Sequence, residues 1–547
     1  MRKMMVRALK IGLFLALWAA LSPAAFAAGS AGMSAACPRP AAGGVATPPA
    51  DLFSTAGVLD VTFDYVTSLD SDNRTLFCFI TPDGIESPTL HVRPGDTLRI
   101  TLRNRVPSLP AGAAREIMAL ASNVCGSPTM DATSVNIHFH GTNTSPTCHS
   151  DEVIHTLVDG GDHFTYRVAF PPDEPPGLYW YHAHVHGISE AAVQGGASGA
   201  IVVDGIENLQ PAVAGLPSRI LLIRDQTVAG NASPGGPVPA WDMTLNYVPI
   251  AYPAETPAII ELAPGRKEFW RLVNASADTV ADVQLVYDGV PQPLEVVALD
   301  GVCTGSQDGA RQGKIVKMTD ILIPPAGRAE FIVTTPSAAV TSATFQTLKV
   351  HTGPDGDNDT TRTLAMLIRD EKAADGLPKM PAASAAPGPQ RFERLAQAPI
   401  AARRILYFSE VLSEPDNPAS PTNFFITVDG ATPTLFSAAN PPAIVTTQGA
   451  VEEWTIENRA QEVHEFHMHQ IHFQLLARNG VTVPPEQRQF FDTVQVPFWS
   501  GKGPYPSVTV LMDFRGKITG DFVYHCHILG HEDAGMMAII RVRPAPG

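Results

Sequence analysis

Charge is scarce in this 547-residue chain: Asp, Glu, Lys and Arg together make up 17% of it. Basic residues are the scarcer half, 38 against 54 acidic, so the formal net charge is −16. A surface of that sign repels phosphate backbones, which excludes nucleic acid as a partner. Beyond residue 27 no apolar run approaches the roughly 20 residues needed to span a bilayer, so no stable membrane anchor is expected. There is no heptad pattern either, and 49 Pro with 44 Gly exclude a helical bundle. At roughly 150 residues per domain the length leaves room for about three or four units with cores of their own.

The first 27 residues differ from the rest. Arg2, Lys3, Arg7 and Lys10 precede or open an apolar run that leads to Ala25-Phe26-Ala27, a small-x-small cleavage site. This pattern predicts a signal peptide over 1–27 and an exported, periplasmic or secreted protein. Arg2-Lys3 is not a twin-arginine pair, which favours the general route for unfolded chains. Six cysteines fit an oxidising address without settling their pairing. Cys125 with Cys148 is the preferred pair, because the loop between them returns toward the His138 segment. Cys37 lies too far beyond the apolar run to be a lipid-modified terminus.

One pattern recurs three times. The segments are Pro94-Gly95 through Asn104, Pro264-Gly265 through Asn274, and Gln448-Gly449 through Asn458. In each, a turn glycine is followed nine positions later by asparagine, with apolar and polar residues alternating between them. Period-two alternation after a glycine turn predicts a half-buried strand. Three copies predict three β-sandwich units of seven or eight strands. The first is placed at 28–205 with an N-terminal extension, the second at 206–372 and the third at 403–547. An Ala- and Pro-rich stretch at 373–402 reads as a linker. Residues 105–133 read as an insertion with a short helix over 113–121.

Ten of the 17 histidines fall into four short segments: His138-Phe139-His140-Gly141, His182-Ala183-His184, His464-Glu465-Phe466-His467-Met468-His469, and His525-Cys526-His527 with His531. Each contains a His-x-His pair, and residues i and i+2 of a strand share a face. Two segments lie in the first unit and two in the third, while the middle unit has only His351, so a shared site between the outer units is expected. Imidazole suits Zn, Cu, Fe and Ni; adding a thiolate in an exported protein favours copper. Cys526 is followed by His531 at +5 and Met536 at +10, and one further histidine upstream would complete a blue-copper set. Cys526 faces away from His525 and His527, which gives an electron a short covalent route between the two sides of the strand.

With these four motifs in order, nearly all of the chain beyond the signal resembles the three-domain multicopper oxidases, the family of laccases, ascorbate oxidase and the bacterial copper-efflux oxidases. The resemblance implies an all-β fold of three cupredoxin-like Greek-key sandwiches and four coppers per chain. Type 1 copper falls to His464, Cys526, His531 and axial Met536. Type 2 falls to His138 and His467, and the type 3 pair to His140, His182, His184, His469, His525 and His527. Asp151 resembles the family acid near the type 2 water, and Glu532 the acid near the type 3 pair; Glu152 and Asp533 are their nearest rivals. Reduction of dioxygen to water consumes protons, which such carboxylates can supply.

The implied activity is a monomeric oxidase that takes single electrons from four reductant molecules at type 1 copper, by way of the exposed edge of His464, and reduces dioxygen to two waters. Axial Met536 implies, by the same resemblance, a lower type 1 potential and easily oxidised donors. A laccase-like enzyme would use phenols or aromatic amines, whereas a metallo-oxidase would use cuprous ion. Only 14 Met occur and none form a Met-rich segment in the third unit, which weighs against the second reading, although Glu462 and Glu465 offer a cation ligands. A copper-binding protein without turnover is the reading of another class; missing ligands would be its mark, and none is missing. His186 and His472 extend the motifs but have no vacancy to fill. His149 and His155 are candidates for water or proton routing beside Asp151, and His91, His163 and His351 read as structural.

Overall fold

The structure, a computed structural model, describes residues 37–546 apart from 108–124, 128–129, 307–312, 384–390 and 418. The signal peptide expected over 1–27 and the helix expected over 113–121 lie outside the described residues. Among those described, no helix is long and apolar enough to cross a membrane.

The chain is all-β, built as three two-sheet sandwiches with separate cores. The first core centres on Phe63, Phe79, Ile100 and Tyr181, the second on Leu221, Trp270, Leu285 and Phe331, and the third on Trp454, Phe466, Val510 and Tyr524. The first sandwich pairs a five-stranded with a four-stranded sheet, the second an eight- with a six-stranded one, and the third a seven- with a five-stranded one. These counts exceed the seven or eight strands expected per unit, because two- and three-residue edge strands such as Val302–Cys303 and Val481–Thr482 leave little sequence periodicity.

The recurrent segments are the strands Thr97–Asn104, Lys267–Asn274 and Val451–Asn458. Each pairs parallel with an earlier strand of its own sandwich: Val58–Leu69, Ser218–Thr227 or Ala402–Leu412. Parallel neighbours need a crossover rather than a hairpin, so the chain must leave the sheet between them. The closing asparagine ties the strand end to the returning chain. Asn104 donates to the carbonyls of Thr133 and Val158, Asn274 to those of Thr279 and Ile323, and Asn458 to those of Glu462 and Val496. Each also accepts from the backbone N–H two residues on. All three are buried with these groups satisfied, and the repeat is therefore a buried clasp used three times.

Neither the extension nor the linker hangs free where it is described. Ala46 lies in the core of the second sandwich, and Val45 bridges Ile259. Lys379 bridges Pro217, while Phe392 and Leu395 pack with Val451, Phe490 and Leu511 of the third sandwich. The expected Cys125–Cys148 disulfide is present, joined by Cys37–Cys78, whose 41-residue separation carries no sequence signal; Cys303 and Cys526 are unpaired and buried.

The three sandwiches meet at Val193, Ala277 and Leu529, one residue from each. The short helix Leu529–Asp533 is held there at both ends. Leu529 N–H donates to the Ala277 carbonyl at 2.9 Å and Gly530 N–H to Asp278 at 3.2 Å. Asp533 in turn accepts from the N–H groups of Gly187, Ser189 and Glu190, capping the helix Ser189–Gln194. Replacing Asn458 with Ala strands two buried carbonyls and one N–H. The expected loss, read by denaturant unfolding of the purified protein, is about 2–4 kcal/mol.

Candidate metal centre

Eight imidazoles converge where the first sandwich faces the third. In the first, antiparallel pairing sets His138 opposite His182 and His140 opposite Trp180. In the third it sets His467 opposite His525 and Phe466 opposite Cys526. Across the junction the rings of His138 and His469 stack with centroids 3.8 Å apart, and those of His140 and His467 at 3.9 Å. The Nε2 atom of His525 lies 3.3 Å from that of His184 and 3.1 Å from that of His469. All eight are buried.

Most of these rings are tied at one nitrogen and open at the other. Nδ1 of His138 meets Asp151 at 2.9 Å, Nε2 of His140 meets Asp492 at 3.0 Å, and Nδ1 of His467 meets the Asp492 carbonyl at 2.8 Å. Nδ1 of His182 and of His525 lie 2.9 Å from the carbonyls of Ala183 and Cys526. The nitrogens left without a hydrogen-bond partner are Nε2 of His138, His182 and His467, Nδ1 of His140 and His469, and both nitrogens of His527. Burial holds the pKa values of His138, His140, His182, His467, His469 and His527 well below the ordinary imidazole range and that of His525 down to about 4. A neutral imidazole tethered at one nitrogen and open at the other is the form in which histidine can hold a metal ion. Groups such as His138 with His467 and His469, and His184 with His469 and His525, bring their nitrogens within 4.8 Å of one another.

On the other face of the strand Gly520–Cys526, the Sγ of Cys526 lies 3.6 Å from His464 Nδ1 and 3.8 Å from His531 Nδ1, with the two nitrogens 3.1 Å apart. Glu465 N–H donates to the sulfur at 3.3 Å. Met536 is buried in the same cluster as Cys526, and its backbone bonds both Cys526 and His531. Burial pushes the Cys526 thiol well above its ordinary pKa, so a metal that takes the sulfur displaces its proton. A sulfur and two imidazoles within reach of one another, with a buried methionine in the same cluster, are a donor set that fits copper.

The acids divide cleanly. Asp151 is buried, bonded to His138, Phe139 N–H and Gln470, and burial pushes it up to about 7. Glu532 is buried with both oxygens unbonded, 3.7 Å from His186 Nδ1. The rivals are occupied elsewhere: Asp533 caps a helix, and Glu152 accepts from His155 and Thr156. His149 stacks on Phe164, so neither routing candidate touches Asp151. His472 bonds the Asp300 carbonyl, His91 is clasped by Asp51 and Asp204, His351 stacks on Phe498 and His163 is exposed.

Two expectations need correction. His464 has no exposed edge: it is 0% exposed and its Nε2 lies 3.2 Å from Glu410, whereas His531 is 8% exposed and is the edge nearer solvent. The reason is local, since His464 opens a strand inside its sheet while His531 lies in the short helix Leu529–Asp533 and lines a cleft. Glu465, considered above as a cation ligand, is fully buried, accepts from Gln495 and is pushed by burial up to about 8. Sequence reasoning also missed Asp492 and Arg328, which bear on two ligands from outside every histidine motif.

Two family models described as "Multicopper oxidase" match this chain, one over residues 129–208 and the other over 411–546. A laccase of Haloferax volcanii is 37% identical over 92 residues, which is 16% of this chain and 15% of that protein's length. Among solved structures, a variant of the McoA multicopper oxidase from Aquifex aeolicus superposes with a TM-score of 0.66 at 19% identity, covering 92% of this chain and all of that one. A Campylobacter jejuni multicopper oxidase described as a metallo-oxidase gives 0.65 at 20%, covering 92% and 96%.

Two outcomes are expected of the metal-free protein. Copper should raise its thermal midpoint by roughly 5 °C or more, and a His467→Ala/His469→Ala double variant should lose most of that gain. Because His138, His140, His182, His467, His469, His525 and His527 titrate lower when folded than unfolded, the unfolded chain binds more protons between about pH 4 and 6.5. Stability is therefore present above 6.5 and lost as pH falls toward 4, a decline readable in melting curves across that window.

Proposed function

The chain belongs to the multicopper oxidase family, and from that premise we propose that it couples four one-electron oxidations of a reductant to the reduction of dioxygen to two waters. The observation that carries this is the position of Cys526, whose sulfur faces His464 and His531 while its neighbours His525 and His527 face the eight-histidine junction. Copper, when bound, supplies the one-electron steps and the binding of dioxygen. We assign one type 1 ion to His464, Cys526, His531 and Met536, a type 2 ion to His138 and His467, and a type 3 pair to the other six histidines.

The protein's own groups then divide the work. His531 offers the reductant its most exposed ligand edge. The backbone through Cys526 joins the two sites by a covalent path one residue long. Asp151 and Glu532 stand beside the cluster to hold the protons that dioxygen reduction consumes. Export to an oxidising compartment belongs to the same reading; the two disulfides support it. A full set of candidate ligands argues against a copper-binding protein without turnover.

The reductant is proposed as a phenol or aromatic amine, in keeping with the laccase among its relatives and the scarcity of methionine. A second reading, cuprous ion, is favoured by one feature: the cleft beside His531 is lined by Asp278, Asp357, Asp359 and Glu462. Burial, then mutual repulsion among acids, holds Asp278 and Asp359 well above the ordinary carboxylate range, a strain that a cation would relieve.

Cys526→Ser should abolish blue colour and oxygen consumption while leaving a folded protein; an active variant would remove electron entry from this sulfur. Asp151→Asn should keep its copper and lose about 10–100-fold in turnover. To separate the donors, oxygen consumption is compared for a phenol and for cuprous ion. If the acidic cleft binds the donor, Asp357→Asn raises KM for cuprous ion about tenfold and leaves that for the phenol unchanged.

A further inference from the structure

The middle sandwich supplies none of the proposed ligands, yet one of its side chains reaches the histidine junction. Arg328, at the start of the strand Arg328–Thr334, is buried, and its guanidinium is gripped by all three sandwiches. Nε donates to the Leu178 carbonyl of the first at 3.3 Å and Nη1 to the Ala326 carbonyl of the second at 3.1 Å. The fork then closes on Asp492 of the third, Nη1 to Oδ1 at 2.7 Å and Nη2 to Oδ2. Asp300 braces both partners, accepting from the N–H groups of Arg328, Asp492 and Thr493.

Asp492 passes this constraint to two rings. Its Oδ1 takes the proton of His140 Nε2, which leaves Nδ1 of that ring with a free lone pair; its backbone carbonyl takes the proton of His467 Nδ1, which leaves Nε2 free. A guanidinium is always charged and donates in a fixed plane, so a bidentate grip prevents the carboxylate from rotating or taking a proton. Gly141, which follows His140, has φ of +83°, and a Cβ there would lie 2.5 Å from Arg328 Nη2 and 2.6 Å from Asp492 Oδ2. The glycine of the first histidine motif is thus the space into which the ion pair fits.

We propose that Arg328 is a positioning residue for the oxygen-reducing copper cluster, setting through Asp492 the tautomer and ring orientation of His140 and His467. The sandwich without ligands thereby governs the geometry of a site built between the other two. The inference rests on the copper-oxidase reading above, and its test separates the two. Copper-loaded wild type, Arg328→Lys and Gly141→Ala are compared by copper content, blue absorption, electron paramagnetic resonance of the type 2 ion, and kcat with KM for one reductant. Arg328→Lys keeps the charge and loses the fork; Gly141→Ala keeps both partners and forces them apart.

Both variants are expected to retain blue absorption, to change the type 2 spectrum and to lose about 10–100-fold in kcat with KM little altered. Variants that melt at lower temperature but keep the wild-type spectrum and kcat would reduce the pair to a strut between domains and overturn the proposal. A wild-type protein that binds no type 2 or type 3 copper would overturn the oxidase reading and this inference together. Should Gly141→Ala fail to fold, Arg328→Lys decides alone.

Discussion

A histidine ring sealed from water must be neutral, and a neutral ring has one nitrogen that donates and one that accepts. Eight such rings meet in one buried junction, and for five of them, His138, His140, His182, His467 and His525, the surrounding structure gives one nitrogen an oxygen to bond. The oxygens come from Asp151, Asp492 and the carbonyls beside the histidines themselves. Without them those five rings would be free to turn a proton toward the junction, where it would repel a cation.

That requirement explains the division of labour among three sandwiches of one pattern. Each is closed by the same buried asparagine clasp, which fixes the strand end to the returning chain within the unit. The outer two contribute histidines from paired strands; the middle one contributes no proposed ligand, but meets the site through Ala277 and Asp278 at the helix bearing His531, and through Arg328 at Asp492. Rings that come from separate units stack within 4 Å only if the units are fixed against one another, and these buried polar contacts are specific enough to do it.

The sulfur side is organised by exclusion. Cys526 and Met536 lie in the third core, His464 is buried beside them, and His531 is the edge nearest solvent, beside a cleft rich in carboxylates. That edge presents acid and imidazole, whereas the histidine cluster on the opposite face of the same strand is buried in protein.

The sequence by itself determined the fold class, the three-fold repeat and which histidines and cysteine come together in the two clusters, because alternation and His-x-His spacing are local properties of a strand. Cys125–Cys148 was legible for the same reason, its loop closing beside a motif. What only the tertiary structure decided concerns groups brought together across the chain. Asp492 and Arg328 lie 164 residues apart, with no spacing to connect them, and meet because two sandwiches pack. The edge nearest solvent moved from His464 to His531, and Asp151 separated from Glu152, because burial and hydrogen-bond partners are set by what folds over a residue, which periodicity along the strand does not encode.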